Sequence, residues 1–231
     1  MFNNKRILAI VPARGGSKGI KLKNLRKIKS KTLIYYTSKI IKKIKMIDDA
    51  IISTDHPAIA KEASNVGLLV PFLRPKKLSG DKIGDVPVLI DAIKKFEKIK
   101  KVKFDIILML QPTSPIRKIK DVVDCIKLLN KKNVDSVWTV NEIDIRFNPL
   151  KQLQINNRKL KHYLEAGKSI VRRQQLCKTY IRNGVCYAIK RETIIKKKSL
   201  MGKYCLPKII KSKTINIDSM NDLKEAEKLI N

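Results

Sequence analysis

Four short runs in this chain carry side chains that could do chemistry. The first is Val11-Pro-Ala-Arg-Gly-Gly-Ser-Lys-Gly19, with Lys23-Asn24 just behind it. Gly15 and Gly16 let a backbone approach phosphate closely, Ser17 offers a hydroxyl, and Arg14, Lys18 and Lys23 offer permanent positive charge. The spacing is neither that of a Walker A loop nor G-x-G-x-x-G. A basic glycine turn with no ligand would read the same way. The second run is Gln111-Pro-Thr-Ser-Pro-Ile-Arg117. Its two prolines restrict the loop, so Gln111, Thr113 and Ser114 become fixed hydrogen-bonding groups, or simply parts of a rigid turn into a helix.

The third run, Arg172-Arg-Gln-Gln-Leu176, holds paired arginines suited to gripping a carboxylate through two parallel hydrogen bonds. An exposed, solvated pair is the plain alternative. In the fourth, Ile215-Asn-Ile-Asp218, alternation puts Asn216 and Asp218 on one side of an extended segment. Hard cations such as Mg²⁺ take oxygen ligands of this kind together with phosphate oxygens. Asp218 is also placed to cap the helix that follows, and the two roles are compatible.

Composition narrows the chemistry. Only two histidines, His56 and His162, are present, which argues against a histidine triad or a multi-histidine metal site. The four cysteines form no C-x-x-C pair and read as reduced thiols, mostly buried. The net charge is +32, but lysines are spread along the whole chain and aromatics make up only 5%. That pattern gives solvated helix faces rather than the stacking platforms of a nucleic-acid binder, while still drawing small polyanions inward. No apolar run approaches the roughly 20 residues that span a bilayer. The N-terminus lacks the features of a signal peptide, so a cytoplasmic protein is expected.

The elements that must position these runs follow a βαβα rhythm, which implies an α/β fold with a mainly parallel sheet. Strands are expected at 7–11, 50–54, 68–70, 105–110, 136–140, 184–189 and 214–217. Helices are expected at about 33–43, 57–66, 85–98, 118–130 and from 220. Residues 73–85 read as a long loop. From about 141 to 182 the segments turn polar and irregular, like hairpins inserted into one domain spanning 1–231. Both the glycine loop and the Gln111 loop follow a strand directly, at the carboxyl end where open α/β sheets bind ligands.

In combination these runs resemble the acylneuraminate cytidylyltransferases, the CMP-sialic acid synthetases. Pro12–Gly19 with Lys23-Asn24, Ser53-Thr-Asp55, Arg74-Pro75 with Leu78 and Asp81, Gln111–Pro115 and Asn183-Gly184 occur in that family's order. The resemblance covers residue 7 to about 227. It implies a three-layer, Rossmann-like fold of the nucleotide-diphospho-sugar transferase type, with the 141–182 insertion used for homodimerisation. It also implies transfer of CMP from CTP to the anomeric hydroxyl of an acidic nine-carbon sugar, with Mg²⁺ as cofactor and pyrophosphate as product.

By the same resemblance Arg14, Gly16, Ser17, Lys18, Lys23 and Asn24 would hold the triphosphate, and Arg74, Asp85 and Thr113 the rest of the nucleotide. Gln111, Arg173, Asn183, Tyr187 and a Lys151 supplied across the dimer would hold the sugar, and Asp218 would ligate the metal. Arg14, Lys18, Lys23 and Asp218 are the expected catalytic group. Two departures stand out. Asn216 occupies a place where the family usually has a second metal-binding aspartate, and Ile181 one where some relatives have a basic residue. An acceptor of eight carbons (Kdo), a non-catalytic nucleotide-binding relative and a basic RNA-binding protein are the competing expectations.

Overall fold

The segment Ile7-Leu-Ala-Ile-Val11 has no polar residue and suits a strand covered on both faces. In a computed structural model, which describes residues 2–230, it forms the heart of strand β1 (Ile7–Pro12), and residues 7 to 11 have no solvent exposure. A two-residue hairpin, β2 (Lys27–Ile28) and β3 (Lys31–Thr32), then leads into helix α1 (Leu33–Ile41). Next come β4 (Asp49–Ser53), α2 (Pro57–Asn65), α3 (Asp85–Lys100) and β5 (Ile106–Met109). Helix α4 (Ile119–Leu129), strand β6 (Ser136–Glu142) and a hairpin of β7 (Leu153–Asn156) and β8 (Lys159–His162) follow. The chain closes with β9 (Tyr180–Lys190), α5 (Arg191–Ile195), β10 (Cys205–Ile209) and α6 (Met220–Leu229).

The central sheet has the order β10-β6-β9-β5-β1-β4. Every neighbouring pair is parallel except the two made by β9, which runs against both β5 and β6. Alternation along β1 divides the core. Ile7, Ala9 and Val11 join Ile34, Ile59, Val122 and Ile126 under α1, α2 and α4. Leu8 and Ile10 join Leu89, Ile93 and Phe96 under α3 on the opposite face. The result is three layers, as expected. A smaller cluster of Ile20, Ile28, Leu33, Ile215, Ile217, Leu223 and Ala226 secures α6 beside the glycine loop.

Two expected strands are not part of the sheet. Residues 68–70 contribute a single parallel bridge, Leu69 against Ile51. Residues 214–217 keep their in–out alternation, with Ile215 and Ile217 buried and Asn216 exposed, but their one backbone-to-backbone bond among the described residues runs from the Ile217 amide to the Thr113 carbonyl at 2.8 Å. A buried alternating segment therefore need not be a laddered one. Conversely, β10 was not expected. It is an edge strand interrupted by Pro207, which blurs its pattern. All four cysteines are free, with Cys125 and Cys186 buried and Cys177 exposed.

Candidate active site

The carboxyl ends of β1 and β5 open on a cavity of about 530 Å³. Arg14, Ser17, Lys18, Lys23, Asn24, Arg74, Asp85, Gln111, Thr113 and Asp218 all line it. Three of the four runs singled out in the sequence, those of residues 12–24, 111–113 and 218, thus share one concave surface with residues 74–88, and the Arg172–Leu176 run does not join them. Each is delivered by a local feature. The glycine loop leaves β1 with the Gly15 amide bonded to Asp55 Oδ1 at 2.9 Å, just beyond β4. Buried Asn24 donates to the Arg14 carbonyl at 3.2 Å and so fixes the loop from below. At Gly19 a β-carbon would lie 2.6 Å from the Asp218 carbonyl oxygen, so only glycine lets these two segments meet.

The site's cations are already engaged. Arg14 contacts Asp81 Oδ1 at 2.9 Å and the Ser79 carbonyl at 3.4 Å, while Lys18 contacts the other oxygen of Asp81 at 2.8 Å. One carboxylate from the loop before α3 therefore spans two cations of the glycine loop. The hydrogen bond from Lys18 is the main cause holding the Asp81 carboxyl below its ordinary range. Lys23 Nζ meets Asp218 Oδ1 at 2.7 Å, and the Asn216 amide donates to Asp218 Oδ2 at 3.0 Å. Arg74 is only 6% exposed and donates to the Ser53 hydroxyl at 3.0 Å and to the Ser53 carbonyl. Burial lowers its pKa, with Asp55 and Asp85 opposing that shift. Asp85 begins α3; burial raises its pKa against the pull of Arg182 and Arg74.

Other expected residues stand apart from the cavity lining. Gly16 is exposed in the glycine loop, and Asn216 reaches the site through Asp218. The Asn183 side chain donates to Asn141 Oδ1 at 2.8 Å and accepts from the Val185 amide at 3.1 Å. Tyr187 is buried in the α3-side core, edge-on to Trp138 with ring centroids 5.0 Å apart. Lys151 and Arg173 are exposed on short 3-10 turns of the insertion, and neither lines the cavity of its own chain. Asp81 and Arg117 carry no local signal of their roles, because most of the side chains and carbonyls they bind lie 60 to 80 residues away.

The donor set can also be tested against Mg²⁺. Among the described residues no group of three or more His, Cys, Asp or Glu is placed to hold a metal. Asp218 and the side-chain oxygen of Asn216 offer one carboxylate and one amide. That suits a cation shared with substrate phosphates rather than one caged by protein alone.

Comparison with known proteins places this geometry. The sequence profile described as "Cytidylyltransferase" matches residues 8–229. The chain is 32% identical to a "Post-translational flagellin modification protein B" of Campylobacter coli, covering 97% of this chain and 94% of that one. It is 31% identical to a "CMP-N,N'-diacetyllegionaminic acid synthase" of Legionella pneumophila, over 97% and 96% of the two chains. A solved CMP:2-keto-3-deoxy-manno-octonic acid synthetase complexed with CTP shares the fold, with a TM-score of 0.72 over 97% of this chain and 98% of that one, at 15% identity. The profile spans nearly the whole chain and full-length relatives exceed 30% identity, so this chain belongs to the cytidylyltransferase family and is a nucleotidyltransferase.

Proposed function

We propose that this enzyme transfers CMP from CTP to the anomeric hydroxyl of a nonulosonic acid, a sialic- or legionaminic-type sugar, and releases pyrophosphate. The observation that carries this is the cavity, where four cations, Arg14, Lys18, Lys23 and Arg74, face three carboxylates, Asp81, Asp85 and Asp218. A triphosphate brings enough charge to replace Asp81 on Arg14 and Lys18, and Asp218 on Lys23. The acceptor preference is supported by the relative named as a CMP-N,N'-diacetyllegionaminic acid synthase.

In this scheme the sugar hydroxyl attacks the α-phosphorus of CTP directly, the bond to the β-phosphate oxygen breaks, and pyrophosphate leaves. Arg14, Lys18 and Lys23 stabilise the charge that builds on the phosphates. Arg74, already fixed to the end of β4, and Asp85 flank the nucleotide, and Gln111 and Thr113 lie between it and the acceptor. Asp218 with Asn216 would hold Mg²⁺, which would add positive charge at the phosphates. Lys23, released from Asp218 by that exchange, would turn to the triphosphate. As a consumer of CTP the enzyme would work in the cytoplasm.

A homodimer belongs to the same proposal. Hairpin β7–β8 pairs Ile155 with Leu160 and carries Leu153 on the same face as Ile155, and these side chains are 77%, 65% and 51% exposed. Two-stranded hairpins are marginal alone and need cover. A second copy would supply it and bring Lys151 and Arg173 towards the neighbouring cavity, where Arg173 would bind the sugar carboxylate.

The test is pyrophosphate release from CTP across a panel of nonulosonic acids and Kdo, with and without Mg²⁺. Turnover is expected with a nonulosonic acid and Mg²⁺, and Arg14→Ala should lower kcat/KM by about 100- to 1,000-fold. Turnover with Kdo alone, or an Arg14→Ala enzyme at the wild-type rate, would overturn the assignment.

A further inference from the structure

The search for groups that the proposed chemistry leaves unused leads to Arg117. Its guanidinium is buried, with the residue 6% exposed, and it has no ion-pair partner among the described residues. Burying an unpaired cation is costly unless its donors are all met. Here three backbone carbonyls and one hydroxyl meet four of its five N–H donors. Nε donates to the Val185 carbonyl at 2.6 Å, and one terminal nitrogen donates to the Gln111 carbonyl at 2.9 Å and the Gly184 carbonyl at 3.4 Å. The other terminal nitrogen donates to the Thr37 hydroxyl at 3.2 Å. Ser114, 1% exposed, completes the set by donating from Oγ to the Asn183 carbonyl at 2.8 Å.

Three successive carbonyls of β9, those of Asn183, Gly184 and Val185, are therefore held by one loop. The sheet explains why they need it. The register of β6 against β9 shifts between Trp138 and Val140, and the ladder to β5 begins only at Tyr187. Residues 183–185 fall in that gap, where buried carbonyls must find partners elsewhere. The planar fork of an arginine can serve several carbonyls at fixed angles, which a lysine ammonium cannot reproduce.

We propose that Arg117 and Ser114 form a positioning clamp that sets the acceptor side of the active site by fixing the Gln111 backbone against the irregular Asn183–Val185 stretch of β9. Neither residue touches the reacting atoms in this scheme. The clamp rests on the place proposed above for Gln111, between nucleotide and acceptor. Loosening it should misplace the sugar and leave the glycine loop and its triphosphate contacts intact.

The experiment compares wild type with Arg117→Lys, Arg117→Met, Ser114→Ala and Thr37→Val. It reads acceptor KM, CTP affinity by calorimetry, and hydrogen exchange at the amides of Gln111, Gly184 and Val185. The Arg117 variants should raise acceptor KM about tenfold, and Ser114→Ala about threefold, with CTP affinity within about twofold of wild type. Amide exchange at the three positions should speed up in the same variants. Thr37→Val, which frees the far end of the guanidinium and a hydroxyl bond to the Leu33 carbonyl within α1, should lower the melting temperature without moving acceptor KM. If the Arg117 variants are insoluble, Ser114→Ala decides by the same split. A lower melting temperature with unmoved acceptor KM and unmoved exchange would reduce both residues to scaffold and overturn the clamp. Wild-type enzyme inactive with every acid would instead refute the acceptor assignment, and the exchange data would still judge the clamp.

Discussion

At the scale of single residues, the candidate site holds itself together with its own counter-charges. Asp81 occupies both Arg14 and Lys18 at contact distance, so an incoming triphosphate must compete with it. Asp81→Asn is expected to tighten CTP binding by about two- to fivefold, the scale of an exposed pair, with the gain shrinking at high salt. Titration calorimetry at two ionic strengths reads both; weaker binding would make Asp81 part of the nucleotide site rather than its competitor. Asp85 behaves in the opposite sense. Burial is the leading cause that raises its pKa above 3.8, so its ionised form costs stability in the folded protein. The sign follows from linkage: the folded state is relatively favoured at pH values below 3.8 and loses that advantage as pH rises through the elevated value. Asp85→Asn should therefore raise the melting temperature at pH 7, and the difference should fade on acidification. A melting temperature at pH 7 equal to or below wild type would mean that a cation, Arg182 or Arg74, outweighs the burial.

At the scale of elements, strand ends and the loops after them decide which side chains converge. Gly184, inside the irregular stretch of β9, has φ +70°, and a β-carbon there would run into Gln111 Oε1 and Ser114 Oγ. Gly184→Ala should cost about 1–2 kcal/mol from the left-handed backbone alone and displace the Gln111 side chain as well. Thermal denaturation and acceptor KM measured together check this; an unchanged acceptor KM would remove Gln111 from the sugar site. The glycine loop and the Gln111 loop were legible as ligand-binding segments because each directly follows an apolar run. The clamp was not legible. Arg117 is separated by 67 to 80 positions from Gly184, Val185 and Thr37, and nothing in its neighbouring sequence distinguishes it from a surface arginine.

At the scale of the whole molecule, the proposed homodimer is supported by the exposed apolar face of β7–β8 and by Arg173 and Lys151, which are exposed and do not line the cavity of their own chain. Exposed clusters of this kind mark interfaces. Under the proposed homodimer, Ile155→Lys should shift the protein towards monomer in sedimentation velocity and lower turnover at least tenfold, because Lys151 and Arg173 of a second copy would no longer reach the cavity. A fully active monomer would confine the site to one chain. The net charge of +32 acts at this scale too, drawing nucleotide to the protein without choosing its orientation.

Taken by itself, the order of residues determined the α/β class, the two-faced burial of the first strand, the glycine loop that brings Arg14, Lys18 and Lys23 to the cavity, and the ordered motifs of the family. Those are local properties, written in runs of roughly ten residues. Only the tertiary structure decided that β9 runs against its neighbours, that residues 205–209 close one edge of the sheet, that 214–217 stays unladdered, and that Asp81 and Arg117 face the partners they do. Each of these is a choice of partner between segments far apart in the chain. Hydrogen-bond geometry and burial make that choice once the layers have packed, and no short stretch of sequence carries it.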